Sequence, residues 1–390
     1  MYYKAETNDF TKFISKMDIP VLQLPNHKDE EWRFTNLDFL KDLNVNDYTN
    51  NPLNIFYKKF ISKYSNIKEL DILLINEAIK KYPDIIKEYF SKIYNHKKDF
   101  FCLENLKFIN NGIFIFVKDN SNVKLPIEID LSDLNDSYIF PRIFIYCSKN
   151  SNFCFNEKYQ TKNEQCYTNI ITEIFLSDNS KLEYTKFQND PNSSIHFSGL
   201  GVLQNKNSYL NCNTFTYGSK FTRNNIFLKI NGEGSESKLN GLSISNNSNF
   251  VDNHSIIQHS APNSISSELY KGIYSKKSKG VFDSRVIVDK IASNTSSEQL
   301  NNNILLSKNA SVQSNPILEI NTDDVSCKHG STTGQIDDEA LFYLNCRGLD
   351  KLKAQQVLLN GFCNEFVENI VNKNLNLELN KLINHSLNSI

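Results

Sequence analysis

Apolar and polar positions change period twice along the chain. Near the start, Phe10, Phe13 and Ile14 fall at i, i+3 and i+4, one apolar stripe of a first helix. From residue 67 to 94 a longer stripe follows, carried by Leu70, Leu73, Leu74, Ala78, Ile79, Ile85, Ile86, Tyr89 and Phe90. Pro83 divides it into two helices, because proline lacks the amide and clashes with the preceding turn. From about Phe108 the period becomes two and short β-rich runs take over. After Gly334 the helical period returns through Leu341, Leu344, Ala354, Val357, Leu358, Phe362, Phe366 and Ile370, with a last helix over 375–387. The expected layout is a helical domain over 1–105, a β core over 106–322 and a C-terminal helical domain over 323–390.

The β-rich middle carries a recurring turn. Lys149-Asn150-Ser151, Asp178-Asn179-Ser180, Lys206-Asn207-Ser208 and Ser235-Glu236-Ser237 each precede an alternating strand, and their last serines are 29, 28 and 29 residues apart. Looser copies stand at Lys276-Lys277-Ser278 and Lys308-Asn309-Ala310. A polar turn at a fixed period between strands is the signature of a solenoid whose coils bury their faces against one another. The prediction is a right-handed parallel β-helix of roughly seven or eight coils, flanked by helices. A β-sandwich, which also spaces its turns regularly, is the alternative.

Composition narrows the function. At 390 residues the chain exceeds one ordinary core. With 43 Lys+Arg against 44 Asp+Glu it presents no basic field for nucleic acid. No apolar run approaches the ~18 residues of a membrane span, and residues 1–6 resemble neither a signal nor a transit peptide. A cytoplasmic protein with neither nucleic acid nor membrane as partner is expected. Its eight cysteines include no CxxC pair, and most of them read as small buried hydrophobes, not a disulfide framework.

The candidate chemistry lies near the end of the chain. Asp323-Asp324-Val325-Ser326-Cys327-Lys328-His329-Gly330 places a sulfur ligand and an imidazole two residues apart, on one face of an extended segment. Asp337 is a natural N-cap for the helix that follows, with Asp338 and Glu339 in its first turn and Gly348 at its end. Leu341, Tyr343 and Leu344 begin its apolar face. No phosphate loop, G-x-S-x-G or HExxH motif is present. Asp323 and Asp324 are adjacent and so point to opposite faces, a poor geometry for a polysaccharide-cleaving pair. His254 and His259, five apart on a strand, also diverge. The charged run Lys28-Asp29-Glu30-Glu31-Trp32-Arg33-Phe34-Thr35 holds the only tryptophan and, on composition, is a loop anchored by one buried indole.

Taken together, several of these segments resemble the SufD family, β-helical subunits of the SUF iron–sulfur cluster assembly scaffold. They are Asp252…His254…His259, Tyr270-Lys271-Gly272, Gly280-Val281-Phe282, Asn302-Asn303-Ile304-Leu305-Leu306, Pro316-Ile317-Leu318-Glu319-Ile320, the Cys327-Lys328-His329-Gly330 run and Leu341-Phe342-Tyr343-Leu344-x-x-Arg347-Gly348. The 28–35 run matches the family's K-D-E-E-W-R-[YF]-T signature. The paralogous SufB family reads E-H-E-A where this chain has Cys327–Gly330. Its cluster-building cysteine, counted back from Pro316, falls on Ala310. Ser284, Ser264 and Ser331 depart from the usual Gly, Cys and Ala, the first of them at a position expected to form a tight turn.

The resemblance implies a non-catalytic scaffold subunit that pairs with a SufB-like paralogue through the β-helices. It also implies a SufC-like ABC ATPase on the C-terminal helices, with Phe342, Tyr343, Arg347 and Gly348 as docking candidates. ATP is then bound by that ATPase and not by this chain. A transient iron–sulfur cluster forms between the partner's cysteine and His329, with Cys327 as second candidate. A SufB-like or homodimeric scaffold, or a β-helical carbohydrate-binding or adhesion module, are the competing readings.

Overall fold

A computed structural model describes residues 9–43, 53–95, 97–109 and 111–388; the expected helical positions at 1–8 and 44–52 lie outside the described residues. The N-terminal part holds α1 (Asp9–Ile14), α2 (Leu53–Tyr64), β1 (Leu70–Leu74), α3 (Ile75–Lys81), α4 (Pro83–Tyr89) and α5 (Phe100–Phe108). The β core begins with β2 (Ile113–Val117), β3 (Ile127–Asp130), β4 (Tyr138–Ile139), β5 (Arg142–Cys147), β6 (Asn152–Tyr159), β7 (Tyr167–Leu176) and β8 (Lys181–Asp190). It continues through β9 (Ile195–Gln204), β10 (Tyr209–Gly218), β11 (Phe221–Ile230), β12 (Glu236–Ser245) and β13 (Phe250–His259). Then come β14 (Ile265–Tyr274), β15 (Lys279–Val288), β16 (Thr295–Leu305), β17 (Ser311–Ile320) and β18 (Val325–Gly334). Helices α6 (Asp338–Cys346), α7 (Lys351–Val367) and α8 (Lys373–Asn388) complete the chain.

From β5 onward, successive long strands alternate between two sheets. One runs β1-β2-β5-β7-β9-β11-β13-β15-β17, with β4 beside β7, and the other runs β18-β16-β14-β12-β10-β8-β6-β3. Except between β1 and β2 the pairing is parallel, so the core is a two-sheet parallel solenoid of about eight turns, as the turn repeat predicts. Alternation sends Ile143, Ile145, Ile174, Leu200, Val202, Leu228, Leu182, Leu210 and Leu239 into the lumen, where they form one buried cluster with Phe155 and Tyr184. Each fully buried Leu or Ile contributes about 1.5–3 kcal/mol, and the parallel register repeats that gain coil after coil.

Two corners turn each coil. At one, Asn120, Asn150, Asn179, Asn207, Asn263 and Asn294 adopt φ between 52° and 57°, with Gly234 at 71°. Asparagine tolerates this left-handed conformation, and its amide stacks on the next coil, as from Asn179 Nδ2 to Asn150 Oδ1 at 3.0 Å. The repeat's fourth serine is Ser235 and not Ser237: Ser208 and Ser235 hydroxyls lie 3.3 Å apart, whereas Ser237 points into the lumen opposite Leu210. Lys276 (φ 53°) belongs to the second corner, with Ser219 and Asn247, so the 276–278 turn is not a copy of the first series.

Two expectations from periodicity fail. Leu70–Leu74 is not helical but a strand, paired antiparallel with β2 from Leu70↔Val117 to Leu74↔Ile113. Its i, i+3, i+4 leucines fit a helix, but the open edge of β2 offers hydrogen bonds that a local pattern cannot register. The solenoid also runs beyond 322, because Val325–Gly334 pairs with β16 as its terminal strand.

The two ends of the solenoid differ. At the start, β1 covers the edge of β2, and Leu53, Tyr57, Phe60 and Tyr64 of α2 join the luminal cluster. At the finish, β17 and β18 are edge strands, with no further strand beside them among the described residues. The outer faces are covered as well. Ile75, Phe90 and Phe101 pack on Phe114, Phe144 and Phe197 of the first sheet. The fully buried Arg142 guanidinium meets Glu173 at 2.7 Å there, and Glu173 accepts from the amides of Ser91 (2.8 Å) and Tyr94 (3.1 Å). On the second sheet Leu359, Phe366, Leu379 and Ile383 of α7 and α8 pack on Phe187, Phe215, Leu242 and Ile273. No described helix is long and apolar enough to cross a membrane.

Candidate functional site

Parallel register stacks equivalent luminal residues into rows, and three rows become polar toward the open end. One runs Phe155–Tyr184–Cys212–Leu239–Glu268–Gln299–His329. Beside it run Leu182–Leu210–Ser237–Ser266–Ser297–Cys327 and Lys186–Thr214–Gly241–Tyr270–Asn301–Ser331. The sequence reading of Cys327 and His329 as same-face neighbours therefore holds, but they lie on the last coil instead of beyond it. They are two residues apart, about 6.5 Å along a strand. Cys327 is half-buried against the luminal cluster with Val325 and Leu318, and His329 is exposed. Burial pushes the Cys327 thiol up, partly offset by a backbone hydrogen bond at Ser297. The sulfur is thus held as thiol near neutral pH.

Below His329 the polar row is bonded across the lumen. Ser255 donates to Glu268 Oε1 at 2.5 Å, Ser284 donates to Oε2, and Gln299 Nε2 donates to Ser284 Oγ at 2.5 Å. Burial pushes the Glu268 carboxyl up against these three hydrogen-bonding partners. Ser284 is accordingly no turn residue; it sits mid-strand as a hydroxyl facing the lumen. The other two departures are also engaged, Ser264 with His259 Nδ1 (2.7 Å) and Ser331 with Ser314 (2.8 Å), which joins β18 to β17.

The two other singled-out histidines diverge, as alternation requires. His259 is buried in the lumen between Ser264 and Ser266, and burial lowers its pKa to about 4. His254 faces outward, with Nε2 2.8 Å from Asp252 Oδ1. Asp323 and Asp324 are exposed at the corner entering β18. All eight cysteines are free; Cys102, Cys154, Cys166 and Cys363 are pushed up to about 12, chiefly by burial. No group of three or more His, Cys, Asp and Glu that could hold a metal ion converges among the described residues.

The terminal strand passes straight into α6. Asp337 caps it, accepting from the amides of Glu339 and Ala340. Leu341 is buried, but Phe342 and Tyr343 are 70% and 57% exposed, so Tyr343 does not belong to the packed face expected of it. The Arg347 guanidinium lies 5.2 Å from the Tyr343 ring centre and donates to its hydroxyl at 3.1 Å, and Gly348 (φ 93°) ends the turn.

The bland reading of the 28–35 loop understates it. Trp32 is buried beneath Arg223, whose guanidinium carbon is 3.8 Å from the ring centre. Arg223 Nη1 donates to Asp252 Oδ2 at 2.6 Å, and Thr35 donates to the same oxygen at 2.5 Å. Glu30–Arg285 (2.7 Å) and Arg33–Asp283 (3.3 Å) add exposed pairs. The charges in the run were legible; their partners some 200 residues away were not.

The family profile described as "SUF system FeS cluster assembly, SufBD core domain" matches residues 129–362. The chain belongs to the SufBD family. The family's N-terminal region matches residues 43–129. An iron–sulfur cluster assembly SufBD family protein of Synechocystis sp. is 25% identical over 382 residues, covering 90% of this chain and 84% of that protein. SufD of Bacillus subtilis is 23% identical over 375 residues (88% and 85%), and SufD of Escherichia coli 33% over 202 residues (52% and 48%). The SufBD core match contains both Cys327 and His329, and ends within α7.

Proposed function

We propose that this chain acts as the SufD-type, non-catalytic subunit of an iron–sulfur scaffold, pairing with a SufB-like paralogue and carrying a SufC-like ATPase. The observation behind the proposal is the asymmetry of the solenoid: at its beginning the edge strands β1 and β3 keep alternate residues buried and α2 packs into the luminal cluster, whereas at its finish every residue of the edge strands β17 and β18 is half-buried or exposed, with an imidazole and thiol at the mouth of the lumen. Unpaired edges are templates for strand addition by another chain. His329 supplies a neutral nitrogen ligand to a nascent cluster whose remaining ligands come from the paralogue, and Cys327 is a second ligand of softer character. The exposed Phe342–Tyr343 pair on α6, braced by Arg347, is the docking surface for the ATPase. Because α6 follows β18 after a short link, movement of the docked ATPase passes into the strand that bears His329.

The test is anaerobic co-expression with SufB-like and SufC-like subunits. The complex is expected to co-purify, and His329→Ala to keep the assembly but lose the visible absorption of the cluster. Normal cluster yield in the His329→Ala complex overturns the assignment of the imidazole.

A further inference from the structure

The luminal row that ends at His329 contains an unmatched atom. Gln299 is fully buried; its Nε2 donates to Ser284 Oγ at 2.5 Å and reaches Glu268 Oε2 at 3.3 Å, both on the coil below. Its carbonyl oxygen, Oε1, is buried and has no partner. The nitrogen and oxygen of an amide diverge from one carbon, so committing the nitrogen downward turns the oxygen toward the open end. The next residue in that row is His329, in register one strand away, about 4.8 Å. Donation by the same amide toward the Glu268–Ser284 pair polarises it and makes Oε1 a stronger acceptor. A buried acceptor of that strength is costly to leave unmatched.

We propose that Gln299 is the positioning residue for His329: its Oε1 accepts the ring Nδ1–H and so leaves the Nε2 lone pair directed out of the open end. The ring reaches this bond by side-chain rotation, since both strand positions are fixed by the ladder. Nδ1 is the nitrogen nearer the backbone and hence the one within reach of a neighbouring strand. An imidazole that binds a metal through one nitrogen ordinarily donates from the other, which fixes tautomer and orientation together. This inference rests on the reading of His329 as a cluster ligand, but its test does not.

The experiment is ¹⁵N NMR of the ring nitrogens in the metal-free, full-length chain labelled at its seven histidines, at pH 8, with His329→Gln to assign the signal. The Nδ1–H tautomer is expected to dominate in the native chain. Gln299→Met, similar in size without an acceptor amide, is expected to shift the ratio at least fivefold toward Nε2–H, while Gln299→Glu, which keeps an acceptor oxygen, restores it. If circular dichroism shows that the methionine disturbs the fold, Gln299→Asn, one methylene too short, gives the same loss. A dominant Nε2–H form in the native chain, or equal ratios in native and Gln299→Met, overturns the proposal. Cluster loss in His329→Ala with an unmoved tautomer in Gln299→Met removes only the role of Gln299. A shifted tautomer with clusters persisting in His329→Ala removes only the ligand role of His329.

Discussion

Arg223→Met tests how the N-terminal loop is held. Arg223 and Asp252 are both fully buried, and Asp252 also takes a hydrogen bond from Thr35. Burial alone would raise the Asp252 carboxyl, but the Arg223 charge, with His254 and Thr35, overrides it and holds the group well below the usual carboxylate range. Removing the guanidinium leaves a buried charge with its main partner gone, a loss of about 3–5 kcal/mol, within which the stacking on Trp32 accounts for about 1–2 kcal/mol. Trp32 is the chain's only tryptophan, so its fluorescence reports this joint alone. In urea, the Trp32 transition of Arg223→Met is expected well below its native midpoint, ahead of the far-UV circular dichroism change that follows the solenoid. Arg223→Met with Asp252→Asn should recover much of the loss, because no uncompensated charge remains. A destabilisation under about 1 kcal/mol, or no recovery in the double variant, refutes the reasoning.

Lys186 is buried in the lumen with its ammonium on Asn224 Oδ1 at 2.6 Å, and burial lowers its pKa to about 7 against the pull of Glu157 and Asp190. Lys186→Met should therefore raise the unfolding temperature near pH 7, by the equivalent of about 1–3 kcal/mol. The native chain should gain stability between pH 7 and 10.5 relative to this variant, as its unfolded lysine loses its proton. His196 and His259, both lowered to about 4 chiefly by burial, stay neutral in the fold but charge in the unfolded chain. Stability is then complete above pH 6.5 and falls between 6.5 and 4, by up to about 3 kcal/mol for each histidine, and His259→Gln should flatten that slope in denaturation series. Phe342→Ala and Tyr343→Ala should alter stability by less than about 0.5 kcal/mol, yet weaken calorimetric binding of the SufC-like ATPase roughly thirtyfold, as loss of a hot-spot aromatic does.

The solenoid was legible because one corner demands φ near 55° and so selects asparagine, as at Asn150, Asn179 and Asn207. The second corner was not, since Ser219, Asn247 and Lys276 share a conformation but no residue type. Assigning Ser237 to the turn was a slip of two residues that the pleat alone could not reveal. Strand β18 reads Val-Ser-Cys-Lys-His-Gly-Ser-Thr-Thr-Gly, without apolar alternation, because its luminal side faces the open end and needs little burial. Cys327 and His329 were found as a pair by spacing. Glu268 and Gln299 were not, because a luminal row joins positions 30 or so apart and becomes visible only once the ladder fixes the register.

The claim that the function of this chain resides at its open end is tested most directly by hydrogen exchange, in the chain alone and in complex with a SufB-like paralogue. Edge amides of 311–320 and 325–334 should exchange rapidly in the isolated chain and become strongly protected in the complex. Unchanged exchange over both strands, with new protection at the covered N-terminal end or on the outer sheet faces, would contradict the account.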